Sequence, residues 1–304
     1  MKVTRRRVRS TGLSLAVTEY VADADVSPSA HVVLVHGYPD SSALWVPVAE
    51  RLAGAGLHVV TYDVRGAGAS DVPEHTSDYR TELLVDDLVA VVTAAVPADA
   101  PVHLVGHDWG SVQLWEAVLG EADDPRLRGR IASFTSVSGP ALEHMGHLMR
   151  HPRGRSVALL RQLAHSWYVA AFQVPVLPEL LWRTAHRPIG FLTALRDGTP
   201  GGARWGSAWG EELGRDAAHG VNLYRANVGR RSRAPLRHTD VPVLVVAPRR
   251  DPFLTAVVLE ELDRVCSDVR IERPDTGHWL PRADPDLLAG MVVEQVRRTR
   301  RRAR

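Results

Sequence analysis

Short apolar runs alternate with helix-like segments along most of the chain. The runs are rich in valine and largely unbroken, which is typical of strands buried on both faces of a parallel sheet. They predict strands at 31–35, 57–62, 101–105, 131–137, 241–246 and 268–273. Helices are predicted in the intervening stretches, at 41–55, 80–95, 109–121 and 284–301. This alternation predicts a doubly wound α/β fold with a mostly parallel sheet.

The alternation changes at two places. Near the N-terminus, Thr11-Gly12 separates two runs and predicts an antiparallel hairpin. Residues 140–230 contain no valine-rich run but hold several tryptophans and prolines and a glycine cluster at 198–202. We interpret them as a helical cap inserted between core strands, over the strand ends. The predicted domains are therefore a core made of 1–139 and 231–304, and a cap made of 140–230.

The composition limits the setting and the partners. The 304 residues are 45% hydrophobic and carry a net charge of +2, which gives no bulk attraction to nucleic acid. The single cysteine, Cys266, excludes an internal disulfide and a cysteine-based zinc site. The N-terminal segment does not have the pattern of a secretory signal, and no run has the length of a membrane span. A cytoplasmic protein is expected.

The C-terminal run VRRTRRRAR is strongly basic. We interpret it as a solvated helix end, where cations favour the helix dipole. A tail for nucleic acid or an anionic membrane, and a linker to a further domain absent from this chain, remain alternatives. A homodimer is also left open.

The hexapeptide at 106–111, GHDWGS, follows one predicted strand and precedes a predicted helix. This is the context of a nucleophile elbow, in which the central side chain is exposed on a tight turn. Its two glycines allow the turn, and the amides at the helix start favour negative charge. Asp108 stands at the centre, where a serine is usual. An aspartate is ordinarily ionised near neutral pH, so it can attack a saturated carbon directly and form an ester.

Further polar residues follow other predicted strands. His36-Gly37-Tyr38-Pro39, Asp251 and His278 each lie just beyond the C-terminal end of a strand, where ligands bind in open α/β sheets. Nucleophile, acid and histidine occur in the order of hydrolase-fold triads. Asp251 is favoured as the acid because it follows its strand immediately. Asp275 and Glu143 are the alternatives.

The motifs HGYPD, YDVRGAGAS, GHDWGS and GHW together resemble those of the α/β-hydrolase superfamily, over nearly the whole chain. Within it, Asp108 followed by Trp109 resembles the epoxide hydrolases and the haloalkane dehalogenases. The resemblance implies that Asp108 is the nucleophile and that His278, oriented by Asp251, activates water. It also implies an oxyanion hole formed by the backbone N–H groups of Tyr38 and Trp109. In the same loops, Asp63 and Arg65 are expected to form a structural ion pair.

Two cap segments bear on whether an epoxide oxygen or a halide leaves the carbon that Asp108 attacks. SWYVAAFQVP at 166–175 and HGVNLYRANVGRR at 219–231 resemble the tyrosine segments of epoxide hydrolases. They imply that Tyr168 and Tyr224 bind and protonate the epoxide oxygen. Tyr38 also argues against a dehalogenase, because dehalogenases often have an asparagine directly after the His-Gly pair. The expected apolar substrate pocket is formed by Tyr38, Pro39, Trp109, Trp167 and Phe172.

The predicted function is therefore epoxide hydrolysis to a vicinal diol, with a small lipophilic epoxide and water as substrates. The chemistry needs neither a cofactor nor a metal ion. A haloalkane dehalogenase that uses the same Asp-His-Asp triad is the first alternative. A non-catalytic ligand-binding or regulatory module that retains the hydrolase fold is the second.

Overall fold

The computed structural model describes residues 1–22, 28–197, 212–231 and 233–302, without the side chains of Arg231 and Arg302. The strands are β1 Lys2–Ser10, β2 Leu13–Val21, β3 His31–Val35, β4 His58–Tyr62, β5 Val102–His107, β6 Ile131–Val137, β7 Val243–Val246 and β8 Val269–Glu272. Within the described residues they form one eight-stranded sheet in the order β1-β2-β4-β3-β5-β6-β7-β8. The β1–β2 and β2–β4 pairs are antiparallel, and the other pairs are parallel. The predicted hairpin and the predicted mostly parallel sheet are both confirmed.

The central strands are buried because helices cover them. Every residue of β4 and β5 is buried, as their unbroken apolar runs predict. The core helices are α1 Val46–Gly54, α2 Thr81–Ala95, α3 Trp109–Leu119, α9 Leu280–Ala283 and α10 Pro285–Arg302. Helix α1 packs against α10, and α2 packs against α3. These pairs cover the sheet and leave the C-terminal ends of the parallel strands available for a site.

A helical insertion joins β6 to β7, as predicted. Its described helices are α4 Leu142–Arg150, α5 Ser156–His165, α6 Trp167–Ala171, α7 Leu177–Arg196 and α8 Leu213–Arg231. Helix α7 is kinked at Ala185, three residues before Pro188, which lacks an N–H donor. The glycine cluster at 198–202 lies outside the described residues, and the exact domain boundaries stay predictions. None of the described helices has the length and apolar character needed to cross a bilayer.

Helix α8 is fastened to the core by two polar side chains. Buried Asn227 accepts a hydrogen bond from the Thr81 N–H at 2.9 Å and donates one to the Tyr79 carbonyl at 2.8 Å. Asp216 accepts a hydrogen bond from the Gly68 N–H at 2.9 Å. These bonds pair backbone groups of the core with side chains of the cap, so they hold α8 in place over the core.

The expected ion pair between Asp63 and Arg65 is wrong. Arg65 instead donates to both carboxylate oxygens of Asp87 in α2, at 2.7 Å each, and both side chains are buried. Asp63 accepts hydrogen bonds from the N–H groups of Ser42 and Ala69, at 2.8 Å each. The Asp63 carboxylate therefore binds loop amides that have no partner in a strand. The Arg65 guanidinium has a buried bidentate partner in Asp87.

Candidate active site

Asp108 lies on a sharp turn between β5 and α3. Its backbone has φ 52° and ψ −121°, a combination that side-chain-bearing residues rarely adopt. The turn requires glycine on both sides. A Cβ at Gly106 would lie 2.6 Å from the backbone of Gly110, and a Cβ at Gly110 would overlap the carbonyl oxygen of Val35. The predicted elbow is thus a strained turn held by close backbone packing.

The carboxylate of Asp108 is oriented by the loop after β3. Its Oδ1 accepts a hydrogen bond from the Tyr38 N–H at 2.7 Å. A Cβ at Gly37 would lie 2.5 Å from this oxygen and 2.5 Å from the amide nitrogen of Trp109. Glycine at this position therefore leaves the carboxylate room beside the two amides that the sequence predicts as an oxyanion hole.

His278 lies between two carboxylates. Its Nε2 is 3.6 Å from Asp108 Oδ2, and its Nδ1 is 2.8 Å from Asp251 Oδ2. The other oxygen of Asp251 accepts hydrogen bonds from the N–H groups of Phe253 and Leu254, at 2.8 and 3.1 Å. The geometry therefore brings the three predicted triad residues together, with the acid held by its own loop.

The two rival acids are engaged elsewhere. Asp275 is exposed and pairs with Arg250, with oxygen to nitrogen distances of 2.8 and 2.5 Å. Glu143 is buried and pairs with Arg237 at 2.8 Å. Of the three candidates for the acid, Asp251 is the one that contacts the imidazole.

The charges of the triad are strongly coupled. Burial by itself lowers the pKa of His278, but the negative charges of Asp251 and Asp108 outweigh it and raise the pKa well above its ordinary value. Burial by itself raises the pKa of Asp251, but the His278 charge and the hydrogen bonds to that carboxylate bring the pKa below its ordinary value. The position of His278 between these two residues therefore favours the protonated imidazole.

Tyr168 and Tyr224 reach the site from the cap. Their ring centroids are 5.9 Å apart, and Tyr224 packs edge-on against Trp109 at 4.9 Å. Burial raises the pKa of both phenols, and the negative charge of Asp108 raises each pKa further. Both phenols stay protonated in the resting site and are able to act as O–H donors.

A cavity of about 480 Å³ connects these groups. Asp108, His278 and both tyrosines line it, and the rest of its wall is mostly apolar. Among the residues predicted for the substrate pocket, those that line it are Tyr38, Pro39, Trp167 and Phe172. Trp109 does not line it, because its indole is buried behind the ring of Tyr224 and borders a smaller recess. The space accommodates a lipophilic molecule with one polar reacting centre.

Several residues around His278 were not foreseen. Asp197, at the end of α7, is fully buried and accepts a hydrogen bond from the His278 N–H. A Cβ at Gly277 would overlap the Asp197 carboxylate. Trp279 donates its Nε1–H to Asp40 at 2.7 Å. The sequence holds a signal for Asp40, which ends the HGYPD motif, but none for Asp197, which follows an ordinary cap helix.

Comparisons with known proteins identify the fold family of the chain. A family model described as alpha/beta hydrolase fold matches residues 30–281. Epoxide hydrolase A of Mycobacterium tuberculosis is 30% identical, and the match covers 96% of each protein. Probable oxidoreductase EphD of the same organism is 37% identical over 86% of this chain, but the match spans only 44% of that relative. A Bacillus megaterium epoxide hydrolase crystallised with an inhibitor matches with a TM-score of 0.77 at 18% identity, over 96% of this chain and 100% of that one, which shows the fold alone.

Proposed function

The chain belongs to the α/β-hydrolase fold family and is related to epoxide hydrolases, and from that premise we propose that it hydrolyses an epoxide to a vicinal diol. One observation carries the proposal. A carboxylate on a nucleophile elbow and two protonated phenols line the same apolar cavity. The carboxylate supplies a nucleophile for saturated carbon, and the phenols supply the proton that an alkoxide leaving group needs.

In the first step, Oδ2 of Asp108 attacks one carbon of the epoxide. Oδ1 is held by the Tyr38 N–H, so Oδ2 is the oxygen that remains to react. The carbon–oxygen bond of the ring breaks, and the departing oxygen takes a proton from Tyr168 or Tyr224. The products are an alkyl ester on Asp108 and a tyrosinate, which then recovers a proton from the imidazolium of His278.

That proton transfer prepares the second step. Esterification removes the negative charge of Asp108, which is one of the charges that raise the pKa of His278. The pKa of His278 therefore falls when the ester forms, and the neutral imidazole is available as a base. His278 takes a proton from water, and the resulting hydroxide attacks the ester carbonyl. The negative charge develops on Oδ1, beside the amides of Tyr38 and Trp109.

Collapse of the tetrahedral intermediate releases the diol alkoxide and a carboxylic acid at Asp108. The acid gives its proton to the alkoxide, which leaves the vicinal diol and the Asp108 carboxylate. His278 ends as the imidazolium with which it began, and both tyrosines are protonated. The cycle therefore closes in protons and charge, with one epoxide and one water consumed for each diol formed.

The proposal is tested by a single turnover in heavy-oxygen water. The new oxygen must enter the Asp108 carboxylate, because water attacks the ester carbonyl and not the substrate carbon. Mass spectrometry of the peptide that contains Asp108 is expected to show the label. Diol formation without label in that peptide would overturn the covalent mechanism.

A further inference from the structure

The solvent-facing side of α7 is apolar at both ends of the helix. Exposed leucines lie at both ends of the helix, at Leu177 and Leu180 before the kink and at Leu192 and Leu195 after it. Trp182 is buried on the side toward the core. Leu192 is 61% exposed. A helix that is apolar on both faces is ordinarily covered on both. The outer face of α7 therefore needs a covering partner.

Helices α5 and α6 and the loop before α7 extend this surface. Val157 is 81% exposed and Trp167 is 60% exposed, and Leu160 and Val176 are also well exposed. We call the exposed apolar surface of 157–195 the cap face. Most of the large apolar side chains that are exposed in the described residues belong to it. Contiguous apolar surfaces of this kind mark sites of protein or membrane interaction.

The cap face is continuous with the cavity above Asp108. Trp167, Leu177, Leu181 and Leu192 are exposed to solvent, and the same side chains line the cavity. The mouth of the cavity therefore opens within the cap face. Whatever covers this face also meets the entrance used by a lipophilic substrate.

The charges on the cap face are cationic. Arg161, Arg183 and Arg187 are exposed, and no described carboxylate forms an ion pair with them. The carboxylates within 156–197 are occupied. Glu179 pairs with Arg225, whose Nη2 lies 3.0 Å from Glu179 Oε2. Asp197 is buried and accepts a hydrogen bond from the His278 N–H. The surface thus combines apolar side chains with three exposed arginines that form no ion pair with a carboxylate in the part of the chain that the structure describes.

We propose that the cap face docks on an anionic lipid bilayer. Apolar side chains enter the boundary between headgroups and acyl chains, and arginines bind the lipid phosphates, as in helices that lie in a membrane interface. A second copy of the chain seated by two-fold symmetry would instead bring two cationic surfaces together. The docked cavity opens toward the bilayer, so a molecule dissolved in lipid enters without crossing water. The docking does not depend on the reaction at Asp108.

The first test measures sedimentation of the full chain with vesicles. Vesicles of phosphatidylcholine alone are compared with vesicles of equimolar phosphatidylcholine and phosphatidylglycerol. Binding is expected to be stronger on the anionic vesicles and to weaken as salt screens the arginines. Absence of binding to both, or binding that is equal on both, would overturn the proposal.

Variants locate the binding surface. The triple substitution Arg161→Gln, Arg183→Gln and Arg187→Gln is expected to weaken binding to anionic vesicles by about fivefold per arginine. The control Arg5→Gln, Arg9→Gln and Arg80→Gln removes the same charge from exposed positions of the core and is expected to change little. An equal loss in both variants would mean that net charge, and not the cap face, drives binding.

Apolar substitutions separate lipid from a second copy. Leu160→Asn, Leu180→Asn and Leu195→Asn together are expected to abolish vesicle binding. None of these leucines lines the cavity, so turnover of a small water-soluble epoxide and the unfolding temperature serve as controls for folding. If sedimentation velocity shows that the unaltered chain self-associates through these leucines and does not bind vesicles, a second copy is the occupant and the lipid proposal is wrong.

Discussion

Nε2 of His278 lies 3.6 Å from Oδ2 of Asp108, which is longer than a hydrogen bond and short enough for strong electrostatic coupling. The charge on one residue therefore sets the proton affinity of the other. Asp108→Asn removes that charge and imitates the neutral ester. The pKa of His278 is expected to fall relative to the unaltered protein, because a negative neighbour that stabilised the imidazolium is lost. Nuclear magnetic resonance of the labelled imidazole measures it.

Asp275→Asn is the matched control for this titration. Asp275 lies three residues before His278 in the chain, but it is exposed and pairs with Arg250. Solvent and salt screen its charge, so the pKa of His278 is expected to be little changed. A lower pKa in Asp275→Asn than in Asp108→Asn would contradict the coupling inferred from the structure.

The same coupling predicts the pH dependence of the second step. Hydrolysis of the ester needs neutral His278, so its rate is expected to rise with pH and to level off above the pKa of His278 in the ester form. That pKa lies below the raised pKa of the resting protein, because the ester carries no charge. Quenched-flow measurement of ester decay gives the profile. A midpoint at or above the resting pKa would argue against the charge-controlled base.

Asp251→Asn separates the two chemical steps. The first step uses Asp108 and the tyrosines, whereas the second uses His278 in the orientation that Asp251 holds at 2.8 Å. By analogy with other triads, turnover is expected to fall by about 10⁴-fold. The alkyl ester should accumulate, and intact-protein mass spectrometry detects it. A variant that loses turnover without accumulating the ester would show that Asp251 acts before the ester forms.

Tyr168→Phe and Tyr224→Phe distinguish the two leaving groups. Loss of a general acid costs about 10²- to 10⁴-fold in rate, so the double variant is expected to lose epoxide opening. A halide leaves without a proton, so any haloalkane turnover would persist in the double variant. Parallel assays of diol and halide release decide between the reactions. Unimpaired epoxide opening in the double variant would exclude these tyrosines as the acid. If the unaltered chain binds an epoxide but does not turn it over, the non-catalytic module is favoured.

Asn227→Ala tests how the cap is held to the core. The substitution leaves the Thr81 N–H and the Tyr79 carbonyl without their partner in a buried site, which is expected to cost about 1–3 kcal/mol of the free energy of unfolding. Asn222→Ala on the same helix is the control, because its bond to Thr76 lies at the surface. Chemical denaturation measures both. An equal loss of unfolding free energy in both variants would mean that the buried bonds of Asn227 stabilise the protein no more than the surface bond of Asn222.

The sequence was sufficient for the elements and for the chain order of the site. Buried strands and the elbow leave local signals, because apolar runs and closely packed glycines are dictated by neighbouring positions. Contacts across the fold leave none. Arg65 pairs with a residue 22 positions away, and Asp197 meets a loop 81 positions away, so no local spacing encodes either contact. The contact between Trp109 and Tyr224 likewise depends on how α8 packs against the core, which the local sequence around Trp109 does not encode.

Asp197 has a consequence for engineering the substrate range. It belongs to the inserted segment, yet it completes the hydrogen bonding of the His278 backbone in the core. The cap is therefore not an interchangeable module. A chimera that receives a foreign cap without a carboxylate at this position would leave a buried N–H unpaired at His278, the proposed base. Transplantation must therefore carry Asp197 together with the helix that supports it.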